Sequence, residues 1–306
     1  MTITDDVTTT AADPDDSRVD ALVAQLLEEC PPASTSERDF LGRQFDLGLA
    51  WVQFPEGQGG LGLSPKLNRN VIQAVAKAGG PIGGAKNPIG YGMCGPAVQV
   101  HGTDEQRALL RPLFTNEHIW CQLFSEPGAG SDVASLSAKA VRDGDEWILN
   151  GQKVWTTLAH ISSYGLIIAR TDPDVPKHRG ITAFIVDMHA PGVETKPLRQ
   201  ITGEAEFNEV FFTDVRIPDS MRLDDVGRGW AVSLTTLMNE RVSIGGGTPP
   251  RNSGPIGQLL QVWRDAGVTD PAMRDELMQL WVGAEVNRLT NMRAAANRKS
   301  GTPGPE

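Results

Sequence analysis

The sequence predicts an α+β fold, built from an N-terminal helical domain, a central β-barrel and an incomplete C-terminal helical bundle. Three observations carry this. Apolar residues recur with a helical period up to about residue 118. They then alternate in short runs separated by turn residues up to about residue 225, and turn helical again from 226. The chain has 306 residues, enough for two or three domains with a sizeable core, and its 40% hydrophobic and 22% charged content is that of a globular protein.

Residues 1–17 hold five Asp and no Lys or Arg, so they are expected to form a disordered acidic tail rather than a targeting peptide. In the helical region 18–118, Val19, Leu22, Val23, Leu26 and Leu27 make an i, i+3, i+4 stripe that ends at Pro31-Pro32. A second helix is expected over 36–48, with Phe40, Leu41 and Phe45 inward. A third starts at Pro65 and stops at Gly79-Gly80-Pro81, and two more cover 89–101 and 104–115, the last capped by Thr103 or Asp104.

Region 119–225 shows strands at 137–142, 146–149, 152–155, 164–170, 180–187, 193–197 and 209–217. Arg142-Asp-Gly-Asp145 and Asn150-Gly151 read as hairpin turns between the first three. So many short strands without a helical pattern suggest a compact barrel or sandwich. In 226–306, helices are expected over 230–244 and 256–266. A third begins with Asp270 as N-cap and Pro271 at its first position, with Met273, Leu277, Leu280, Trp281 and Ala284 as its inner stripe.

The net charge of −10 comes without any dense Lys/Arg cluster, which argues against a nucleic-acid partner, and no apolar run reaches membrane-spanning length. Cys30, Cys94 and Cys121 show neither metal nor redox spacing. An odd number of cysteines without a secretory signal points to a reducing compartment, and so to a cytoplasmic protein, with the thiols as buried filler. Gly57, Gly59 and Gly62 satisfy the dinucleotide pattern G-x-G-x-x-G. No strand precedes them and no Asp or Glu occurs between Glu56 and Asp104, so the ribose-binding acid is missing and the Rossmann reading fails.

The stretch 121–157 holds the chemistry. Gly128, Ala129 and Gly130 leave backbone N–H groups almost bare, which suits an anion or a flat ligand, although an ordinary surface loop has the same composition. Trp155 fits either a ligand wall or a barrel-core aromatic.

Five motifs occur in one order: Pro55-Glu-Gly-Gln-Gly-Gly-Leu-Gly62, Gly102-Thr-Asp-Glu-Gln106, Ser125-Glu-Pro-Gly-Ala-Gly-Ser-Asp132, Asn150-Gly-Gln-Lys-Val-Trp155 and Val210-Phe-Phe-Thr-Asp-Val-Arg-Ile-Pro218. On these motifs the chain resembles the acyl-CoA dehydrogenase family of flavoproteins from about Pro55 to Arg241. The resemblance implies α,β-dehydrogenation of an acyl-CoA thioester, in which a carboxylate takes the α-proton and the β-hydrogen leaves as hydride for N5 of FAD. It also implies an electron-transferring flavoprotein as acceptor and assembly as a homo- or hetero-oligomer. An oxidase or monooxygenase-like relative, or a non-catalytic subunit, is the alternative.

Carried over residue by residue, the resemblance sets Gln122, Leu123, Phe124 and Ser125 along the flavin's pyrimidine side. Gly130 and Ser131 fall near the FAD phosphates and the substrate's pantetheine. Trp155 packs on the ring, and Thr156 and Thr157 lie beside it, with Thr157 next to N5. Glu126 is structural. Glu240 matches one of the family's two positions for the base, and the following Arg241 matches a substrate-contacting arginine. An apolar pocket raising its pKa is the expected setting for such a base. The other position for the base, and the last helices of the family's bundle, would lie beyond residue 306, so a truncated sequence or a subunit completed by a partner is expected.

Overall fold

A computed structural model describes residues 14–244 and 249–299. The first helix, α1 (Pro14–Glu29), begins earlier than its apolar stripe, with Asp15 and Asp16 in its first turn, where the helix dipole favours negative charge. Residues 14–17 are therefore helical rather than tail, and the rest of the expected tail lies outside the described residues. In α2 (Glu37–Asp46) the Ser36 hydroxyl accepts from the Asp39 N–H, and in α3 (Asn68–Lys77) Val71 and Val75 face inward.

The region expected as one helix over 89–101 is a π-turn at Gly90–Cys94 followed by α4 (Gly95–His101). Pro96 lacks the N–H that a regular α ladder would need there. The next expected helix divides into α5 (Asp104–Arg107) and α6 (Leu110–Phe114), since Pro112 cannot donate to the Ala108 carbonyl. Thr103 caps α5 in a capping box with Gln106. The glycine loop of the rejected dinucleotide pattern folds against residues 50–54. A Cβ on Gly60 would lie 2.1 Å from the Phe54 carbonyl, so that glycine serves close backbone packing.

The strands β1 (Trp120–Leu123), β2 (Lys139–Asp143), β3 (Glu146–Thr157), β4 (Tyr164–Arg170), β5 (Ile181–Asp187), β6 (Val193–Leu198), β7 (Phe207–Pro218) and β8 (Arg222–Leu223) form one mixed sheet. The ladder runs β6-β7-β3-β2-β4-β5-β8, with β1 parallel to β4. Leu149, Ile167, Phe184, Val210 and Val215 share a single core, so the barrel-like interior comes from curling of the sheet.

One expected turn is absent. The strands read as 146–149 and 152–155 are a single twelve-residue strand, with a register shift at Leu149/Gly151 against β7. Gly151 takes φ +146°, and a Cβ there would lie 2.6 Å from Ala138. Asn150 does not turn the chain. Its side chain exchanges two hydrogen bonds with Asp214, the Nδ2 donating to Oδ1 and the Oδ1 accepting from the Asp214 N–H. The Asn-Gly pair marks a β-bulge.

The helix α7 (Gly229–Ile244) packs with the sheet and the N-terminal helices. Val232 joins the core that contains Ala129, Ala134, Leu136 and Ile181. His101 sits between Asp224, 2.7 Å from Nδ1, and Thr235, 2.8 Å from Nε2, joining the end of α4, the exit of β8 and α7. Among the described residues, those up to Ser243 form one compact unit that includes almost all of α7, and those from Ile244 on form a second.

The second unit contains α8 (Gly254–Ala266) and α9 (Pro271–Lys299). Asp270 caps α9, its Oδ1 accepting from the Ala272 and Met273 N–H groups. Of the expected inner stripe only Leu277 is buried, while Met273 and Leu280 are more than half exposed. No described helix is long and apolar enough to cross a membrane.

Candidate active site

The sheet brings two stretches of sequence together. Leaving β1, Phe124 and Ser125 run beside the second half of β3, where the Val154 N–H donates to the Ser125 carbonyl at 2.9 Å. Glu126 and Ala129 then close a tight bridge, each N–H donating to the other's carbonyl. The glycines that follow are anchored from the far side. Lys177 Nζ donates to both oxygens of Asp132, and Arg170 Nη2 donates to the Ala134 carbonyl at 2.6 Å. Gly128 and Gly130 are exposed, and a Cβ built on either meets nothing within 4 Å, so this rim of the loop is open to a ligand.

Across from the loop, β3 breaks its register with β7 a second time, between Lys153 and Thr156. Trp155 sits in this bulge at φ +59°, a left-handed conformation that costs a bulky residue energy and persists only where surrounding structure holds it. Its indole is 62% exposed, touching Phe207 edge-on at 6.1 Å between ring centroids. Of the two readings of Trp155, the barrel-core aromatic fails. A large apolar ring is held outward, one residue past Val154, whose N–H bonds the Ser125 carbonyl at the head of the glycine loop.

The remaining expected residues separate by burial. Gln122, Ser125 and Thr157 are half-buried and Ser131 is exposed, so their polar groups can be reached from outside. Leu123 and Phe124 are buried in the two cores on either side of β1, so their side chains are packing, and only their backbone can face a ligand. Thr156 is buried as well, and its Oγ1 has no hydrogen-bond partner among the described residues.

Glu240 is half-buried near the end of α7, and Arg241 beside it is exposed. Leu237, one turn earlier on the same side of α7, packs against the core that includes Ala129 and Leu136. Glu240 therefore follows, on the same helix, a residue packed against the core that holds Ala129.

Sequence reasoning passed over Lys153. It is fully buried, and its Nζ donates to the Phe124 carbonyl at 3.0 Å and to Glu126 Oε1 at 2.8 Å. Glu126 also accepts from the Ser137 N–H and hydroxyl on Oε2 and from the Ala138 N–H on Oε1. Burial raises the Glu126 pKa, but the Lys153 charge and these donors outweigh it and hold the carboxyl below its usual range. Burial pushes Lys153 down to about 8, against the pull of Glu126, so the pair is charged at neutral pH. The available signal was a charge in a strand whose earlier inward positions are Trp147 and Leu149. Cys94 and Cys121 are not candidate nucleophiles, because burial raises Cys121 to about 12 and Cys94 well above its usual value.

An outward indole, a bare glycine rim and partly exposed amide and hydroxyl residues at Gln122, Ser125 and Thr157 supply the kinds of group that a flat heteroaromatic ring carrying a phosphate tail would need. The comparisons with known proteins point the same way. Acyl-CoA dehydrogenase models match in order, the N-terminal domain over 17–117, the middle domain over 121–215 and the C-terminal domain over 227–306.

The chain is 45% identical over 251 residues to acyl-CoA dehydrogenase FadE34 of Mycobacterium tuberculosis, covering 82% of this chain and 34% of that protein. It is 37% identical over 259 residues to acyl-CoA dehydrogenase IpdE1 of the same organism, covering 83% and 67%. The solved structure of the Tcur3481-Tcur3483 steroid ACAD superposes with a TM-score of 0.70 at 26% identity, over 95% of this chain and 77% of that one. The chain thus spans about a third of FadE34 and two thirds of IpdE1. With the three domain models matching in sequence order and IpdE1 aligned over two thirds of its length, the chain belongs to the acyl-CoA dehydrogenase family.

Proposed function

We propose that the chain binds FAD and takes part in the α,β-dehydrogenation of an acyl-CoA thioester. The observation that carries this is the outward Trp155, held in a left-handed bulge next to Val154, whose N–H ties β3 to Ser125 at the head of the loop with the open Gly128 and Gly130. When bound, FAD supplies the two-electron acceptor that an unactivated C–C bond requires, taking the β-hydrogen as hydride. Trp155 would cover one face of the ring and exclude water there. Gln122 and Ser125, together with the backbone of Leu123 and Phe124, meet its polar edge. Thr157 would supply a hydroxyl to its reacting centre. Gly130 and Ser131 leave room for phosphates and the pantetheine arm.

Glu240 takes the α-proton and Arg241 contacts the substrate. An α-proton beside a thioester is only weakly acidic at neutral pH. Positioning and hydrogen bonds to the developing enolate therefore carry much of the rate. The substrate class we favour is a CoA thioester on a bulky ring-bearing acid. The support is the relative named as a steroid ACAD, at 26% identity.

Electrons then pass to an electron-transferring flavoprotein. The chain acts in the cytoplasm, in keeping with three free cysteines, and assembles with a second subunit. Support for assembly comes from the exposed apolar side chains of α9, among them Leu280, Val286 and Leu289, which in water favour a partner. A purified chain that is yellow, and that an acyl-CoA bleaches without oxygen, supports the proposal. A colourless chain that takes up no FAD refutes it. Hydrogen peroxide formed when air is admitted after bleaching would move the assignment to an oxidase.

A further inference from the structure

We infer that Lys153 is a positioning residue whose buried ammonium, bridging the Phe124 carbonyl and the Glu126 carboxylate, fixes the distance between the two walls of the flavin site. The inference rests on the flavin reading. It begins from a costly arrangement, because a lysine with no exposed surface survives only where its charge is paired and hydrogen-bonded. The partners are informative. Phe124 O and Glu126 both belong to the segment leaving β1, so the ammonium ties that segment to β3 from inside. Glu126 passes the restraint on through Ser137 and Ala138 to the start of β2.

The tie sits where the geometry is least self-supporting. Lys153 is the last residue before the register shift that sends Trp155 outward, and past it the β3–β7 ladder resumes only at Thr156. On the other wall, the Glu126–Ala129 bridge opens directly onto Gly130. Besides this ion pair, the Val154 N–H on the Ser125 carbonyl links the two walls at this level. A backbone bond alone leaves both segments free to hinge about it. The ion pair supplies a second point of attachment, and two points fix an orientation. Both Trp155 and the glycine rim are reached through residues that Lys153 or Glu126 holds.

The test uses the full chain and the paired variant Lys153→Met with Glu126→Gln, which removes both charges and leaves no unpaired carboxylate in the core. FAD dissociation constants are measured by flavin fluorescence for the wild type, the paired variant, Trp155→Ala and the combination of all three. We expect the paired variant to melt near the wild type, to bind FAD at least about tenfold more weakly and to shift the visible band of the bound flavin. In the Trp155→Ala background the same change should add much less, because the wall that it positions is gone.

Full additivity, or unchanged affinity and spectrum in the paired variant, overturns the inference while leaving the flavin site standing. A paired variant that does not fold overturns the separation of positioning from folding on which the inference depends. A wild-type chain that binds no FAD overturns the flavin reading, and this inference with it.

Discussion

Truncating Trp155 to alanine separates a ligand wall from a core residue by two signs at once. An aromatic side chain carries roughly 150–250 Å² of surface, so at 62% exposure on the order of 100–150 Å² of the indole stands open. A ring laid against half of that removes about 60 Å² from water, worth about 1.5 kcal/mol at ~25 cal/mol/Å². Stacking adds about 0.5–1.5 kcal/mol. Trp155→Ala should therefore weaken FAD binding by about 2–3 kcal/mol, roughly 30- to 150-fold in Kd. The fold should notice little, since the indole is 62% exposed and buries only a minor part of its surface against the protein. A core tryptophan would instead cost about 3–5 kcal/mol of stability. Fluorescence titration with FAD and thermal melting read the two quantities on one preparation. A large loss of stability with unchanged FAD affinity would refute the reasoning.

Three further outcomes are expected. Gly151→Ala should cost about 2–4 kcal/mol in urea denaturation, because φ is +146° and the new Cβ would lie 2.6 Å from Ala138; a neutral substitution would show that the bulge is not needed. Glu240→Gln should leave FAD bound but abolish bleaching by acyl-CoA, and unchanged reduction would remove Glu240 from the mechanism. FAD affinity should fall as pH rises through about 8, where Lys153 loses its proton and Glu126 its counter-charge. The sign of the stability term makes this test selective. The folded pKa lies below the unfolded value of about 10.4, so between the two the unfolded chain holds a proton that the folded chain lacks, and this group's contribution to stability rises with pH. Weaker binding there is thus not unfolding, and a pH-independent Kd between 7 and 9 would count against the role of Lys153.

The sequence was most legible where one local signal has one structural meaning. The α–β–α order followed from a change of period, and the caps at Ser36, Thr103 and Asp270 sit where side-chain acceptors precede apolar stripes. It was least legible where the same signal serves two purposes. Asn150-Gly151 marks a turn or a bulge equally well, and the choice was made by Asp214, sixty-four residues away, which pairs with Asn150 across the ladder. Pro112 sits inside a helical period, yet it splits that helix. The stripe on α9 shows a helix with an apolar face, but a period does not say what covers that face, and Met273 and Leu280 are exposed.

The site divides in the same way. Its glycine rim and Trp155 are visible as residue types, whereas the outward turn of Trp155 depends on a register shift between distant strands. The buried partner of Glu126 appears only once β3 is laid beside the exit of β1.

Anaerobic titration of the FAD-loaded chain with an acyl-CoA thioester, following the flavin absorbance and the enoyl-CoA product together, tests the central claim most directly. The account predicts bleaching with one enoyl-CoA formed for each flavin reduced. A chain that holds FAD yet stays yellow, with no enoyl-CoA formed across linear, branched and ring-bearing thioesters, would contradict it.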